Sequence, residues 1–131
     1  MTFDLDQLDD DVLAFLAEYQ LATLTTMRTD GTPQVTPVGV TYEPETRTAR
    51  VITWATSVKA KNVARNPGQR VAVCQVDGGR WLTLYGTAAV TDQADRVAEG
   101  VRRYAERYRQ PKERDDRVVI EISVDSIVGR A

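Results

Sequence analysis

Ser57, Lys59 and Lys61 open a short helical segment, Ser57-Val58-Lys59-Ala60-Lys61, and residues of these types at this spacing suit the binding of an anion. Cations in a first helical turn oppose the helix macrodipole, so they do nothing for the helix itself. Beside exposed backbone N–H groups and a hydroxyl they suit a bound phosphate or carboxylate. The surrounding charge balance points the same way. Residues 51–76 carry Lys59, Lys61, Arg65 and Arg70 and no carboxylate, in a chain with 19 acidic residues and a net charge of −2. A Ser-capped surface helix with solvated lysines would use the same residues, so the pattern nominates an anion site without requiring one.

Several chemistries are excluded. The chain has no histidine, which removes Ser-His-Asp and Cys-His catalysis and leaves no good zinc site, so no metal is expected. Cys74 is the only cysteine. It has no partner for a disulfide, and its place in an apolar strand pattern suits a small core residue better than a nucleophile. The basic island is compact and has no interleaved aromatics, which argues against nucleic acid. No apolar run approaches about 20 residues, so no membrane span is expected. The opening residues are acidic, unlike a basic signal-peptide start, and a cytoplasmic location is the expectation.

The elements that must position the island follow from periodicity. Residues 10–19 read as an amphipathic helix capped by Asp9 or Asp10, with Val12, Phe15, Leu16 and Tyr19 on one face. Residues 21–28 alternate as a strand. Asp30-Gly31 signals a hairpin, and its partner strand is residues 33–42. Pro37 and Gly39 inside that run mark an edge, or a bulge where something flat approaches the backbone. Residues 43–46 read as a turn and 48–54 as the third strand. The island's helix ends at Asn66-Pro67-Gly68, and a fourth strand covers residues 71–76.

Asp77-Gly78-Gly79 turns the chain into a long fifth strand, residues 80–91, with Gly86 a bulge. Asp92 caps the longest helix, which runs to Tyr108 with Glu99–Arg103 and Arg102–Glu106 pairs on its exposed side. A charged loop around Pro111 leads to a last strand, residues 118–124, and then a tail. One mainly β domain over residues 1–131 is expected, with six strands, about three helices and a small closed or half-open barrel.

This order of elements resembles the split β-barrel family of flavin and deazaflavin proteins related to pyridoxamine 5′-phosphate oxidase, and within it the branch that uses coenzyme F420. The matching residues are Leu21-Ala22-Thr23-Leu24-Thr25-Thr26 with Asp30-Gly31 and Pro33, then Pro37-Val38-Gly39-Val40, Ala49-Arg50-Val51-Ile52-Thr53, and Ser57-Val58-Lys59-Ala60 with Asn62. Two further stretches are similar to the F420-dependent biliverdin reductases of this branch. They are residues 74–82 (CQVDGGRWL) and 103–109 (RYAERYR), the latter followed by 117–121 (RVVIE).

The resemblance implies a six-stranded split β-barrel and a homodimer with its cofactor site at the subunit interface. It places the cofactor phosphate on Ser57, Lys59, Ala60 and Asn62. The tricyclic ring would lie against Pro37, Val38, Gly39 and the stretch Ile52, Thr53, Trp54, Ala55 and Thr56. The partner's copies of Gln75, Val76, Gly78, Arg80 and Trp81 would close the cleft. Trp54-Ala55-Thr56 is bulkier than the glycine-rich turn the family would lead one to expect. The C-terminal Arg and His pattern of true pyridoxamine phosphate oxidases is missing, so vitamin synthesis is not expected.

The implied reaction is hydride transfer from the deazaflavin C5 to a small conjugated acceptor, with biliverdin reduced to bilirubin as the favoured case. The cofactor carries that chemistry and the protein supplies orientation and charge. Lys61, Arg80 and Arg109 are candidates for the acceptor's propionates, and the proton donor is not identified. Two other readings remain open: an FMN-binding oxidoreductase of the same fold, and a non-catalytic carrier of a tetrapyrrole, flavin or lipid.

Overall fold

Period-two alternation of buried and exposed side chains carries most of the chain into one sheet. The computed structural model describes residues 1–131. Its elements are α1 Asp10–Ala17, β1 Ala22–Met27, β2 Pro33–Val38, β3 Thr41–Glu43, β4 Thr48–Trp54, α2 Val58–Arg65, β5 Gln69–Asp77, β6 Arg80–Thr91, α3 Ala94–Arg107 and β7 Arg117–Arg130. The strands pair antiparallel in the order β2-β1-β5-β6-β7-β4-β3.

There are seven strands rather than the expected six, because the run over residues 33–42 breaks at Gly39-Val40 into β2 and β3. The cause comes from α3. A Cβ on Gly39 would lie 2.7 Å from Tyr104 Cε2 and 3.0 Å from Tyr108 Cε2, so two rings occupy the space a side chain would need. The Val40 N–H donates to the Tyr108 hydroxyl at 3.1 Å, and that hydroxyl donates to Gln20 O at 2.7 Å. The flat body that approaches Gly39 is therefore the chain's own tyrosine pair.

β2 and β3 are the two edges of the sheet, yet only Gly39 and Val40 join them. So short a link spans about 10 Å, which forces the sheet to curl until its edges face each other. No ladder closes the gap. The result is an open, curled sheet of seven strands and not a barrel sealed by hydrogen bonds. Pro37 sits on the edge strand β2, where a proline is tolerated.

The inner face and α1 make one apolar cluster that includes Phe15, Leu24, Leu82, Leu84, Ile120, Ile122 and Ile127, all essentially inaccessible. Burying each such side chain is worth about 1.5–3 kcal/mol. α1 ends at Ala17, two residues short of the expected Tyr19, whose ring is left exposed. Gly86 is the expected bulge: the β6–β7 register shifts between Tyr85 and Gly86, and a Cβ there would meet Ser123 O at 2.2 Å. Gln93, not Asp92, occupies the cap position of α3, and its N–H is taken by Thr91 Oγ1 at 3.1 Å. β7 runs through residues expected to be a tail, because the first half of β6 needs a partner as far as Trp81↔Arg130. No helix is long and apolar enough to cross a membrane.

Candidate functional site

The turn from β4 into α2 is fixed by Ser57. Its Oγ accepts from the Ala60 N–H at 3.3 Å and from the Thr53 hydroxyl at 2.9 Å, and the residue is 5% exposed. Ser57 is thus engaged in the helix cap, the plainer of the two roles its position allows, and its oxygen is turned inward rather than towards the place expected for a phosphate. The first two helical N–H groups, of Val58 and Lys59, have no intrahelical acceptor. Lys59 is half-buried, with its Nζ 5.1 Å from the centre of the Trp54 ring. Burial lowers its pKa from the usual 10.5, with no carboxylate opposing it. The rest of the basic island points elsewhere. Lys61 and Arg65 are exposed, and Arg70 pairs with Asp125 of β7.

Lys59 lines an open cleft of about 420 Å³ between the ends of β2 and β4. Thr36, Pro37, Val38 and Gly39 form one wall and Ile52, Thr53 and Trp54 another. Tyr104 of α3 and Pro111, Arg114 and Arg117 complete it. The lining holds three cations and no carboxylate, in an otherwise acidic chain. Seven residues predicted for the cofactor, Pro37, Val38, Gly39, Ile52, Thr53, Trp54 and Lys59, therefore meet in one place. Ala55 and Thr56 lie exposed in the adjoining turn, where the Ala55 N–H donates to Asp116 O at 2.9 Å.

Ala60 and Asn62 face the other way. Ala60 is buried, and the Asn62 amide donates to Thr26 Oγ1 at 3.0 Å inside the protein. The Asn62 carbonyl accepts from Gln69 Nε2 at 2.8 Å. This asparagine ties α2 to β1 and β5 and does not reach the cleft.

The second predicted group lies on β5, β6 and the turn between them, outside the cleft lining. Trp54 pairs with Arg117 at the start of β7, whereas Trp81 pairs with Arg130 at its end. Along the other side of the sheet the group comes nearer: Ala22 pairs with both Gln75 and the cleft residue Val38, so Gln75 stands two strands, about 10 Å, from the cleft wall. Yet none of Gln75, Val76, Gly78, Arg80 and Trp81 lines the cleft. Gln75 is buried; its Nε2 donates to Phe15 O at 2.9 Å and its Oε1 accepts from Arg107 at 3.0 Å. Arg80 holds Glu18 through two hydrogen bonds, of 2.6 and 2.9 Å, and Asp77 through one of 2.5 Å. Its guanidinium stands 4.4 Å from the centre of the Phe15 ring. Those bonds, to Glu18 first, raise its pKa. Val76 and Gly78 are exposed, as are the acceptor candidates Lys61 and Arg109. Trp81 lines a separate hollow of about 440 Å³ with Phe3, Val12 and Arg130.

Sequence reasoning missed Thr36, Tyr104, Pro111, Arg114 and Arg117 as cleft residues. Arg114 Cζ stands 4.9 Å from the centre of the Trp54 ring, so this exposed tryptophan carries two cations, Arg114 and Lys59. The one signal available was the charged loop around Pro111, but nothing local shows that β7 will pair with β4. The matched stretch 103–109 is largely structural. Arg103 pairs with Glu43 at 3.1 Å. Arg107 donates to Glu18 O, Val40 O and Gln75 Oε1 at 2.8, 2.5 and 3.0 Å. Only Tyr104 of that stretch lines the cleft.

The family model described as pyridoxamine 5′-phosphate oxidase matches residues 8–130. The F420H(2)-dependent biliverdin reductase of Mycobacterium tuberculosis (strain CDC 1551 / Oshkosh) is 50% identical over 125 residues, covering 95% of this chain and 90% of its own. Among solved structures, a conserved hypothetical protein from Mycobacterium tuberculosis aligns with a TM-score of 0.78 at 22% identity, over 95% of this chain and 84% of that one. An F420 reductase aligns with a TM-score of 0.73 at 22% identity, over 92% and 98%. At such identity these two structures speak for the fold alone. With nearly its whole length matched, the chain belongs to the pyridoxamine 5′-phosphate oxidase family.

Proposed function

We propose that the protein is a coenzyme F420-dependent reductase that delivers a hydride to a conjugated acceptor, and that biliverdin, reduced to bilirubin, is that acceptor. The observation that carries this reading is the 50% identity, over 95% of the chain, to a relative named for that cofactor and that substrate. The cleft fits the cofactor on its own terms. Its volume of about 420 Å³ lies within the ~300–1,000 Å³ of small-molecule sites. Lys59 is a desolvated cation without a carboxylate partner, beside two free helical N–H groups, which suits a phosphate. Pro37 to Gly39 and Ile52 to Trp54 offer two walls for a flat ring system.

When bound, the reduced deazaflavin supplies the hydride from its C5. The chain's own residues have narrower tasks. Lys59 anchors the phosphate and so sets how far the ring enters. Tyr104, packed against Gly39, forms the floor where α3 crosses the edge of the sheet. Gln75, Val76, Gly78, Arg80 and Trp81, which line no part of this chain's cleft, belong to the other copy's site in a homodimer. The apolar outer face bearing Leu21, Val35, Val76 and Tyr85, between 39 and 61% exposed, is the surface on which the copies meet. Ser57 and Asn62 act behind the site, holding α2 in place.

Calorimetric titration of the apo-protein with F420 and with FMN, followed by anaerobic turnover, tests the reading. F420 should bind with one site per chain and biliverdin absorbance should fall as bilirubin appears. FMN binding in preference to F420 would favour the flavin alternative. Reduction of quinones or enones with biliverdin untouched would retain the reductase and remove the substrate.

A further inference from the structure

Lys59 accounts for one of three cations in a cleft without carboxylates. The other two come from elsewhere in the chain, Arg114 from the loop between α3 and β7 and Arg117 from the first position of β7. Arg117 opens β7 directly opposite Trp54 in the β4–β7 ladder, and its side chain donates to Lys112 O. Arg114 is held by Asp116 through Nε and Nη2, at 2.9 and 3.1 Å, which leaves its Nη1 free. The loop is pinned to the cleft, because Asp116 O accepts from the Ala55 N–H at 2.9 Å. The Arg114 guanidinium then stands over Trp54, a residue 40% exposed. An exposed aromatic ring beside two arginines offers a flat conjugated acid apolar contact for its body and forked donors for its carboxylates.

We propose that Arg114 and Arg117 bind the carboxylates of the acceptor and make the site selective for acidic acceptors, a role distinct from the phosphate anchor at Lys59. The proposal rests on the reductase reading given above. It also reassigns the acceptor's charged contacts. Arg80 is already committed to Glu18 and Asp77, and Lys61 and Arg109 line no part of the cleft. The cofactor's own glutamate tail offers the same chemistry, so the test must separate the two sources.

Tryptophan quenching in the apo-protein provides a readout independent of turnover. Wild type titrated with biliverdin and with biliverdin dimethyl ester should bind the diacid about tenfold more tightly, the worth of one exposed charge-assisted contact. Arg114→Ala and Arg117→Ala should each shrink that preference, and Arg114→Lys should retain part of it. F420 with and without its glutamate tail should bind the variants as it binds wild type. A diacid preference unchanged in both alanine variants overturns the proposal. So does a loss confined to tailed F420, which would assign the arginines to the cofactor. Wild type that binds neither pigment also overturns it, and F420 binding in the same series then decides whether the reductase reading survives.

Discussion

Lys59 concentrates the site's electrostatics in one titratable group. Lys59→Ala should remove one charge-assisted hydrogen bond to the phosphate, worth about 1.5–3 kcal/mol, or a ~10–150-fold loss of F420 affinity. The melting temperature should hardly move, since a first helical turn gains nothing from a lysine. Calorimetry on this variant and a thermal melt check both statements. The pH dependence has a definite sign. Burial depresses the Lys59 pKa below 10.5, so the unfolded chain keeps this proton to higher pH than the folded one. The charged form therefore penalises the free protein, and the penalty is relieved as pH rises through the window below 10.5. Phosphate binding needs the ammonium, so F420 affinity should fall across that same window. Lys59→Arg, which stays charged, should flatten the fall. A flat profile for wild type would separate Lys59 from the anion.

α3 shapes the cleft by wedging its tyrosines under the sheet edge. Gly39→Ala would put a Cβ 2.7 Å from the Tyr104 ring, an overpacking that should cost about 1–3 kcal/mol and weaken F420 binding by displacing the floor. Arg107→Ala would strip the donor from Glu18 O, Val40 O and Gln75 Oε1. Val40 O keeps the Tyr108 hydroxyl at 3.2 Å, so two part-buried acceptors are left unpaired, and at about 1–3 kcal/mol each denaturant unfolding should show a loss of about 2 kcal/mol or more. These two elements show what the sequence disclosed. β4 is legible to the residue, at 48–54, because its alternation is uninterrupted, and β6, at 80–91, because a tight turn precedes it and a helix cap follows it. The cap at Ser57 and the bulge at Gly86 are local too. The break at Gly39-Val40 is not, for it depends on rings more than 60 residues away. The Pro111 to Arg117 wall was hidden for the same reason, being placed by the long-range pairing of Trp54 with Arg117. The resemblance puts Asn62 at the phosphate, and sequence cannot distinguish an amide that faces a ligand from a buried one with its bonds satisfied internally.

At the scale of the whole molecule, the proposed homodimer sets the partner's Gln75 to Trp81 stretch against the cleft, which none of these residues lines within one chain. Leu21→Glu, placing a charge on the apolar outer face, should therefore abolish dimerisation and F420 binding together. A monomer by light scattering that binds F420 with full affinity would refute the shared site. The same two-copy arrangement is what would hold a deazaflavin face towards an acceptor, and the reaction itself is the most direct test of the account. Reduced F420 mixed anaerobically with biliverdin and a catalytic amount of protein should give loss of biliverdin absorbance, growth of bilirubin and stoichiometric oxidation of F420. No oxidation of reduced F420 with biliverdin or any other conjugated acceptor would contradict it.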